Sequence, residues 1–345
     1  MTRLGTRWIW PSVRNLSTQI AGETSAWYAS SEGLRAASPS ATHMVTNQAT
    51  ALSDYNAFTC DQPLLEGVGH GSAEWAASHL SSLGAQTGSA SWQTIAQEAN
   101  RNPPQLISHD RFGNRIDRAH YHPAYHQLMR LALENGAAGF AWGEHQGRPG
   151  AHTARATLMY LMYQLECGVC CPVTMTFAAV PALAAAPSIG EEWVGRLAAP
   201  GYDERDVPVT EKSAATMGMS MTEKQGGALA PSPHCTQASA HSPVQSTAAC
   251  GVCQHDRRAQ TSAGSDVRSN TTVATPVSAA LAGEGHEFTL RGHKWFTSAP
   301  MSDAFLTLAQ TTDGVSCFLV PRWLPDGSRN AGFTVQRLKE KLGDR

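Results

Sequence analysis

The feature that most constrains this chain is a short stretch at residues 219–227, which combines two glycines with serine and threonine side chains. A second polar stretch, residues 265–271, follows only after an interruption. Glycine has no Cβ and tolerates positive φ, so a glycine-rich backbone can bring its N–H groups close to a polar heterocycle or a pyrophosphate. We therefore predict a ligand-binding turn that is assembled from two separated pieces of the sequence.

Residues 228–264 separate the two pieces and contain one leucine, two valines and no aromatic residue. Such a segment cannot bury enough apolar surface to offset the entropy lost on ordering. We expect a disordered insert that is foreign to the fold, arising from a retained intron or a mispredicted exon boundary. Cys250, Cys253 and His255 have zinc-ligand spacing within it, but no hairpin or helix pattern would present them, so we expect no zinc site.

Length and charge limit the classes of protein. A chain of 345 residues can hold two domains or one large one, and 41% hydrophobic with 16% charged residues is typical of a globular protein. The formal net charge of −2 gives no reason to expect nucleic acid or an anionic membrane as a partner. The longest apolar run, residues 169–186, contains Pro172 and Pro181 and indicates buried core rather than a membrane span.

The eight cysteines are scattered, which favours a reducing compartment over a disulfide-stapled fold. Cys170 and Cys171 lie in an apolar context that is more typical of small core residues than of nucleophiles. Residues 1–50 are rich in arginine and serine and poor in acidic residues, as in an organellar transit peptide, with a disordered leader as the alternative. The expected location is mitochondrial; cytoplasmic and peroxisomal locations are the alternatives.

Residues 51–215 have the pattern of helices joined by turns. Residues 91–99 show a helical period that ends before Pro103 and Pro104, and residues 123–133 show another, with Pro123 at a first helical position. Residues 151–167 repeat this period, and residues 110–117 predict a turn. His122 and His126 could share a helical face, as metal ligands do, but we expect them to serve in packing and hydrogen bonding.

After Gly264 the pattern changes to short β-branched or aromatic runs at residues 288–290, 294–298, 304–310 and 315–320, separated by turns that contain glycine. These runs predict a small antiparallel sheet or barrel. We expect an α+β protein: an all-helical N-terminal domain over residues 51–215, followed by an antiparallel β-domain over residues 216–345 that the insert interrupts.

Several motifs in the same order resemble the acyl-CoA dehydrogenase superfamily. Joined across the insert, residues 221–227 and 265–271 resemble its flavin-binding signature, T-E-x-x-x-G-S-D. Residues 102–106, 110–117, 122–126, 171–179, 292–298 and 316–322 resemble the AidB-type branch of that superfamily. The resemblance extends from about residue 55 to residue 345, apart from the insert.

The resemblance implies a helical domain, a β-domain and a C-terminal four-helix bundle, with FAD between the last two. It assigns to the flavin Met219, Met221, Thr222, Gly226, Gly227, Ser265, Phe296, Thr297 and Ser298. An aromatic side chain would shield the ring from water, and a hydroxyl group near N5 would stabilise the reduced flavin. Without the flavin motif before it, the pattern at Trp295 and Phe296 would favour strand core.

The resemblance also implies α-proton abstraction from an acyl-CoA thioester, coupled to β-hydride transfer to the flavin. In the family a glutamate of the C-terminal bundle is the base. The motifs place residues 341–345 inside the β-domain, so we expect that bundle to be absent, no catalytic residue to be present and activity to be impaired. Glu223 belongs to the flavin motif and is not assigned as the base. The full-length family form is expected to be a homo-oligomer, a tetramer, and the electron acceptor stays open.

The leading hypothesis is therefore an FAD-dependent acyl-CoA dehydrogenase-like oxidoreductase of the AidB type. One alternative is a non-catalytic protein that keeps the helical domain for contacts with a partner. Another is a DNA-protective flavoprotein, although the charge balance of this chain does not favour nucleic acid.

Overall fold

The computed structural model describes residues 49–224, 267–278 and 283–340. The predicted insert at 228–264 lies outside the described residues, and so does the predicted leader except for residues 49 and 50. Gly226, Gly227 and Ser265 of the predicted flavin turn also lie outside them.

Seven α-helices occupy the described part of the chain before residue 200. They are α1 (Gln62–His70), α2 (Ala77–Thr87), α3 (Ala90–Arg101), α4 (Pro123–Glu134), α5 (Ala151–Leu165), α6 (Cys170–Ala184) and α7 (Pro187–Ala198). The predicted helices at residues 91–99, 123–133 and 151–167 are confirmed as α3, α4 and α5. Their apolar faces form one core in which Leu128, Met129, Leu158, Leu161 and Met162 are completely buried.

Local capping explains where two of these helices begin. The Ser89 hydroxyl accepts a hydrogen bond from the Trp92 N–H at the start of α3, which satisfies one of the free donors of a first helical turn. At the start of α4, Pro123 occupies the first turn and His122 Nδ1 accepts from the Ala124 N–H at 3.2 Å. His122 is thus a helix cap, in line with the expected hydrogen-bonding role.

The N-terminal region is not all-helical as predicted, because it contains a β-hairpin. Its strands are β1 (Gln105–His109) and β2 (Arg115–His120), which pair antiparallel. The predicted turn around Gly113 and Asn114 lies between them, with Gly113 at φ +86° and the Asp110 carboxylate accepting from the Asn114 N–H. Both strands are short and partly exposed, so they carry too little apolar alternation to stand out in the sequence.

A five-stranded sheet follows the helices. Its strands are β3 (Met217–Ser220), β4 (Val273–Pro276), β5 (Phe288–Arg291), β6 (Ala304–Thr311) and β7 (Gly314–Pro321). The central strand β6 pairs antiparallel with β7 but parallel with β3 and with β4. The predicted antiparallel sheet is therefore wrong in detail: the sheet is mixed, and the described strands do not close into a barrel. Parallel pairs need a long connection, and most of the chain between β3 and β6 provides one.

Helix α6 confirms that residues 169–186 are core, because eight of its fifteen residues are buried. Cys170 is buried as expected, whereas Cys171 is exposed, so the prediction that Cys171 is a core residue is wrong. Neighbouring residues on a helix point about 100° apart, which is enough to turn one thiol inward and the next outward. None of the described helices is long and apolar enough to cross a bilayer.

A hydrogen bond to Thr176 links α6 to the start of β3. The Thr176 hydroxyl is completely buried, donates to the Pro172 carbonyl at 2.8 Å and accepts from the Met217 N–H at 3.1 Å. Met217 is the first residue of β3 and is itself completely buried. The position of β3, and so of the predicted flavin residues Met219 and Met221, therefore depends in part on a hydrogen bond with another part of the fold.

We expect Thr176→Val to lower the free energy of unfolding by about 1–3 kcal/mol, because the buried Met217 N–H would lose its acceptor. Thr157→Val on α5 is the matched control: Thr157 is also buried and donates to the carbonyl four residues earlier. Among the described residues, no backbone donor from another element is bonded to its hydroxyl, so we expect a loss below about 1 kcal/mol. Urea denaturation of both variants makes the comparison, and equal losses would contradict this role of Thr176.

Candidate functional site

Strand β3 and the residues after it carry three of the predicted flavin residues. Met219 and Met221 are half-buried and pack against the apolar cluster that α6 and α7 form around Val180, Leu183 and Trp193. Thr222 follows them, also half-buried. The two methionines thus join the strand to the helices, and Thr222 lies where the strand has ended.

The second predicted segment, Phe296 to Ser298, lies directly against the first. The Ser298 N–H donates to the Met219 carbonyl at 2.9 Å, and the Trp295 N–H donates to the Thr222 carbonyl at 2.8 Å. The Thr297 hydroxyl is hydrogen-bonded to the hydroxyl of Ser220. Two segments that are more than seventy residues apart in the chain are therefore fixed side by side.

These bonds also explain why residues 294–298 are not the predicted strand. Trp295 and Phe296 both direct their N–H groups to the single carbonyl of Thr222, whereas a ladder alternates partners along both chains. Only an isolated bridge between Ser298 and Met219 remains. Trp295 is 43% exposed, so it does not lie in the core of a strand.

Glu223 is the anchor of this arrangement, and its side chain is fully buried. One carboxylate oxygen accepts from the Thr271 N–H at 2.7 Å; the other accepts from the Thr272 N–H at 3.0 Å and from Lys294 Nζ at 2.8 Å. Both threonine hydroxyls donate to the carboxylate as well. The carboxylate therefore ties the end of the first motif piece to the second piece and to Lys294.

Burial alone would raise the pKa of Glu223, but the hydrogen bonds from Lys294, Thr272 and Thr271 outweigh it and hold this pKa far below its usual range. A carboxylate with several donors is stabilised in its charged form. Lys294 Nζ donates in turn to the Leu308 carbonyl on β6 at 2.7 Å, so the ion pair is also fixed to the central strand. Such a carboxylate is not available as a base.

Two further side chains fix the first segment, and sequence reasoning gave neither of them this role. The Asn270 side chain donates to the Met221 carbonyl at 2.8 Å, and the Thr307 hydroxyl of β6 donates to the Ser220 carbonyl. Asn270 and Lys294 both belong to motifs noted above. The motifs around the predicted turn contain one acidic, one basic and one amide side chain, Glu223, Lys294 and Asn270. This combination is the signal that could have identified the buried ion pair from the sequence.

Cations and aromatic rings lie together at the open side of the site. Lys339 Nζ lies 4.1 Å from the centre of the Phe296 ring, and Lys224 Nζ and the Arg337 guanidinium lie 5.2 Å and 5.6 Å from that of Trp295. The hydroxyls of Thr222 and Ser298 are not hydrogen-bonded to any other described residue. Hydroxyl donors, aromatic faces and positive charges in one place suit an anionic ligand that carries an aromatic ring system.

Three further observations concern parts of the described structure outside the predicted flavin residues. No group of three or more histidine, cysteine, aspartate or glutamate side chains within them is placed to hold a metal ion. His126 Nδ1 lies 2.8 Å from the Tyr202 hydroxyl and 3.0 Å from the Glu204 carboxylate. A depression of about 440 Å³ between α6 and α7, lined by Leu183, Pro187 and Val194 among others, includes none of the predicted flavin residues.

Comparison with known families divides the chain into two matched parts. Residues 47–204 match the Adaptive response protein AidB N-terminal domain, and residues 259–345 match the Acyl-CoA dehydrogenase, middle domain. Among curated proteins, the chain is 40% identical over 305 residues to the putative acyl-CoA dehydrogenase AidB of Escherichia coli (strain K12), covering 88% of this chain and 48% of that protein. It is 25% identical over 260 residues to acyl-CoA dehydrogenase family member 11 of Caenorhabditis elegans, covering 72% and 34%.

Two solved structures have a similar fold. One is the apo form of Bd2924, with a TM-score of 0.62 and 24% identity, covering 85% of this chain and 51% of that one. The other is Caenorhabditis elegans ACDH-11 in complex with C11-CoA, with a TM-score of 0.63 and 22% identity, covering 88% and 46%. The chain thus spans between about a third and about half of the length of these four proteins. The ordered motifs, the two family matches and the 40% identity together show that the chain belongs to the AidB-type branch of the acyl-CoA dehydrogenase superfamily.

Proposed function

We propose that this chain forms the flavin-facing part of an FAD-dependent, acyl-CoA dehydrogenase-like oxidoreductase that acts on acyl-CoA thioesters. One observation carries the proposal. The Thr222 and Ser298 segments, each predicted to contact the flavin, are hydrogen-bonded to each other, and the buried pair Glu223–Lys294 adjoins both. Membership of the acyl-CoA dehydrogenase superfamily supports it.

The chemistry of the donor set fits the cofactor. Thr222, Thr297 and Ser298 would place hydroxyl groups at the polar edge of the ring system, and Phe296 would exclude water from its face. Lys224 and Arg337 would attract the pyrophosphate. Bound FAD would supply the hydride acceptor for α,β-desaturation, while these residues orient it. Met219, Met221, Gly226, Gly227 and Ser265 complete the proposed contact set.

An acyl-CoA substrate is proposed on the family and on the solved relative that was crystallised with C11-CoA. The described residues do not offer Glu223 as the base, because its two oxygens are occupied by five donors from Thr271, Thr272 and Lys294. The role of this carboxylate in the proposed function is to hold the flavin-facing segments together.

Titration of the purified full chain with FAD, followed by quenching of flavin fluorescence, tests the proposal. We expect Thr222→Val and Ser298→Ala each to weaken FAD binding by about 5–10-fold, the effect of one lost hydrogen bond of about 1–1.5 kcal/mol. Thr289→Val is the matched control, because Thr289 is an exposed threonine on β5. Its affinity for FAD should equal that of the wild type.

Failure of the wild-type chain to bind FAD would contradict the proposal and favour a non-catalytic interaction protein. Equal affinities for all variants would show that FAD binds elsewhere. Retention on DNA that weakens steeply with salt, in a protein that binds FAD but does not oxidise acyl-CoA, would favour the DNA-protective flavoprotein instead.

A further inference from the structure

Two cysteines separated by two residues lie at the start of α6: Cys167 in the connection from α5, and Cys170 in the helix itself. Cys170 is the first residue of α6, and its N–H donates to the Cys167 carbonyl at 3.1 Å. A hydrogen bond across three residues closes a turn whose end Cα atoms are within about 7 Å. This range overlaps the Cα separations of about 4.4–6.8 Å that a disulfide spans.

The two thiols differ in access in the way that a dithiol pair requires. Cys167 is half-buried, so a small reagent can reach it, whereas Cys170 is only 5% exposed. Cys170 needs no access to solvent if its reaction partner is the neighbouring sulfur. Its thiol donates to the Glu166 carbonyl at 3.6 Å, a weak bond of the kind that a thiol donor makes.

The charged groups around the turn act in opposite directions. The carboxylate of Glu166 is buried and accepts from the N–H groups of Gly168 and Val169 at 2.8 Å and 3.0 Å, so it fixes the turn while disfavouring a second negative charge. The Arg155 guanidinium, 3.8 Å from the centre of the Phe177 ring, is near enough to Cys170 to interact with its charge. A nearby guanidinium favours a thiolate, the nucleophilic form of cysteine.

We propose that Cys167 and Cys170 form a redox-active dithiol that closes to an intramolecular disulfide by exchange with a low-molecular-weight disulfide such as oxidised glutathione. The Cys167 thiolate attacks one glutathione sulfur and releases one glutathione thiolate. The Cys170 thiolate then attacks the Cys167 sulfur of the mixed disulfide and releases the second. The two protein thiols lose two protons and two electrons, and the glutathione disulfide becomes two thiols.

Two alternatives fit this geometry less well. Metal binding would need a third ligand, and no such cluster exists among the described residues. A purely stabilising crosslink would close only a four-residue loop, which restricts the unfolded chain very little. The pair lies at the N-terminal end of α6, the helix whose Thr176 accepts from the first residue of β3. Oxidation would therefore act on an element that contacts the proposed flavin residues.

The test equilibrates the full, initially reduced chain in glutathione buffers of increasing oxidised fraction. After acid quenching and alkylation, the bonded cysteines are identified by mass spectrometry of peptides. We expect a bond between Cys167 and Cys170 that forms with increasing oxidised glutathione and is lost on reduction. Cys170→Ala should instead accumulate one glutathione adduct on Cys167. Cys171→Ala, which replaces the exposed neighbour, is the matched control and should form the bond as the wild type does.

Alkylation of both Cys167 and Cys170 in the most oxidising buffer would overturn the proposal, as would a bond to Cys171 or to a second chain. The peptide map of the wild type decides between these outcomes even if Cys170→Ala does not fold. Circular dichroism of each variant shows whether its result refers to the folded protein.

Discussion

Glu223→Gln is expected to lower the free energy of unfolding by about 3–5 kcal/mol, because it removes the carboxylate that pairs with the nearly buried Lys294 ammonium at 2.8 Å. Glutamine keeps the size of the side chain, so the loss reports the charge and its hydrogen bonds rather than a cavity. Urea denaturation measures the effect. The proposed flavin segments depend on this pair, so FAD binding should weaken as well.

The double variant Glu223→Gln with Lys294→Met is the control for this prediction. Removing both charges leaves no uncompensated ion in the interior, so it should recover part of the stability that Glu223→Gln loses. The role of the pair would be contradicted if the double variant lost as much free energy of unfolding as the two single variants lose together, or more.

The pH dependence of stability should also separate Glu223→Gln from the wild type. The folded-state pKa of Glu223 lies below the value near 4.5 of an unperturbed glutamate, so its contribution is fully present above that pH. It is lost as pH falls from about 4.5 towards the depressed folded value, because the unfolded chain binds the proton first. The wild type should therefore lose stability more steeply than Glu223→Gln in this acidic range.

Lys212→Met is expected to cost a similar amount, about 3–5 kcal/mol, for the same reason. Lys212 Nζ is buried and lies 2.6 Å from Asp303 Oδ1, while Asp303 Oδ2 accepts from the Thr216 N–H at 2.8 Å. Burial is the main influence on Asp303 and raises its pKa, against the opposing effect of Lys212. Loss of Lys212 would leave this carboxylate buried without a cation, next to the start of β3.

Arg205→Met is the matched control for Lys212→Met. Arg205 also pairs with an aspartate, Asp203, at 2.6 Å, but its side chain is 57% exposed. Exposed pairs contribute about 0–1 kcal/mol, so this variant should be nearly as stable as the wild type. If Arg205→Met and Lys212→Met lowered the free energy of unfolding equally, burial of the Lys212–Asp303 pair would have no energetic consequence.

Local signals in the sequence were sufficient for much of the helical region. Helix boundaries were predicted at Pro123 and before Pro103 and Pro104, because proline restricts the backbone of its own and the preceding residue. In the structure α3 ends at Arg101 and α4 begins at Pro123. The strands β6 and β7 were also predicted within one or two residues, because β-branched runs ended by an Asp–Gly turn need no distant partner to be recognised.

Long-range contacts decided what the sequence could not show. The direction of β3 relative to β6 depends on the path of the intervening chain, so the predicted antiparallel sheet was wrong. Residues 294–298 have the composition of a strand, yet their N–H groups bind the Thr222 carbonyl instead. Cys171 shares its apolar surroundings in sequence with Cys170, but the helix turns it to the surface.

By itself, the sequence determined the family, the order of the motifs and the chemical character of the flavin-facing residues, because these reside in residue types and short spacings. Only the tertiary structure decided that Thr222 and Ser298 lie side by side and that Glu223 holds them through Lys294 and Thr272. Hydrogen bonds and ion pairs between residues about fifty or more positions apart form only when the chain has folded, and no local pattern records them.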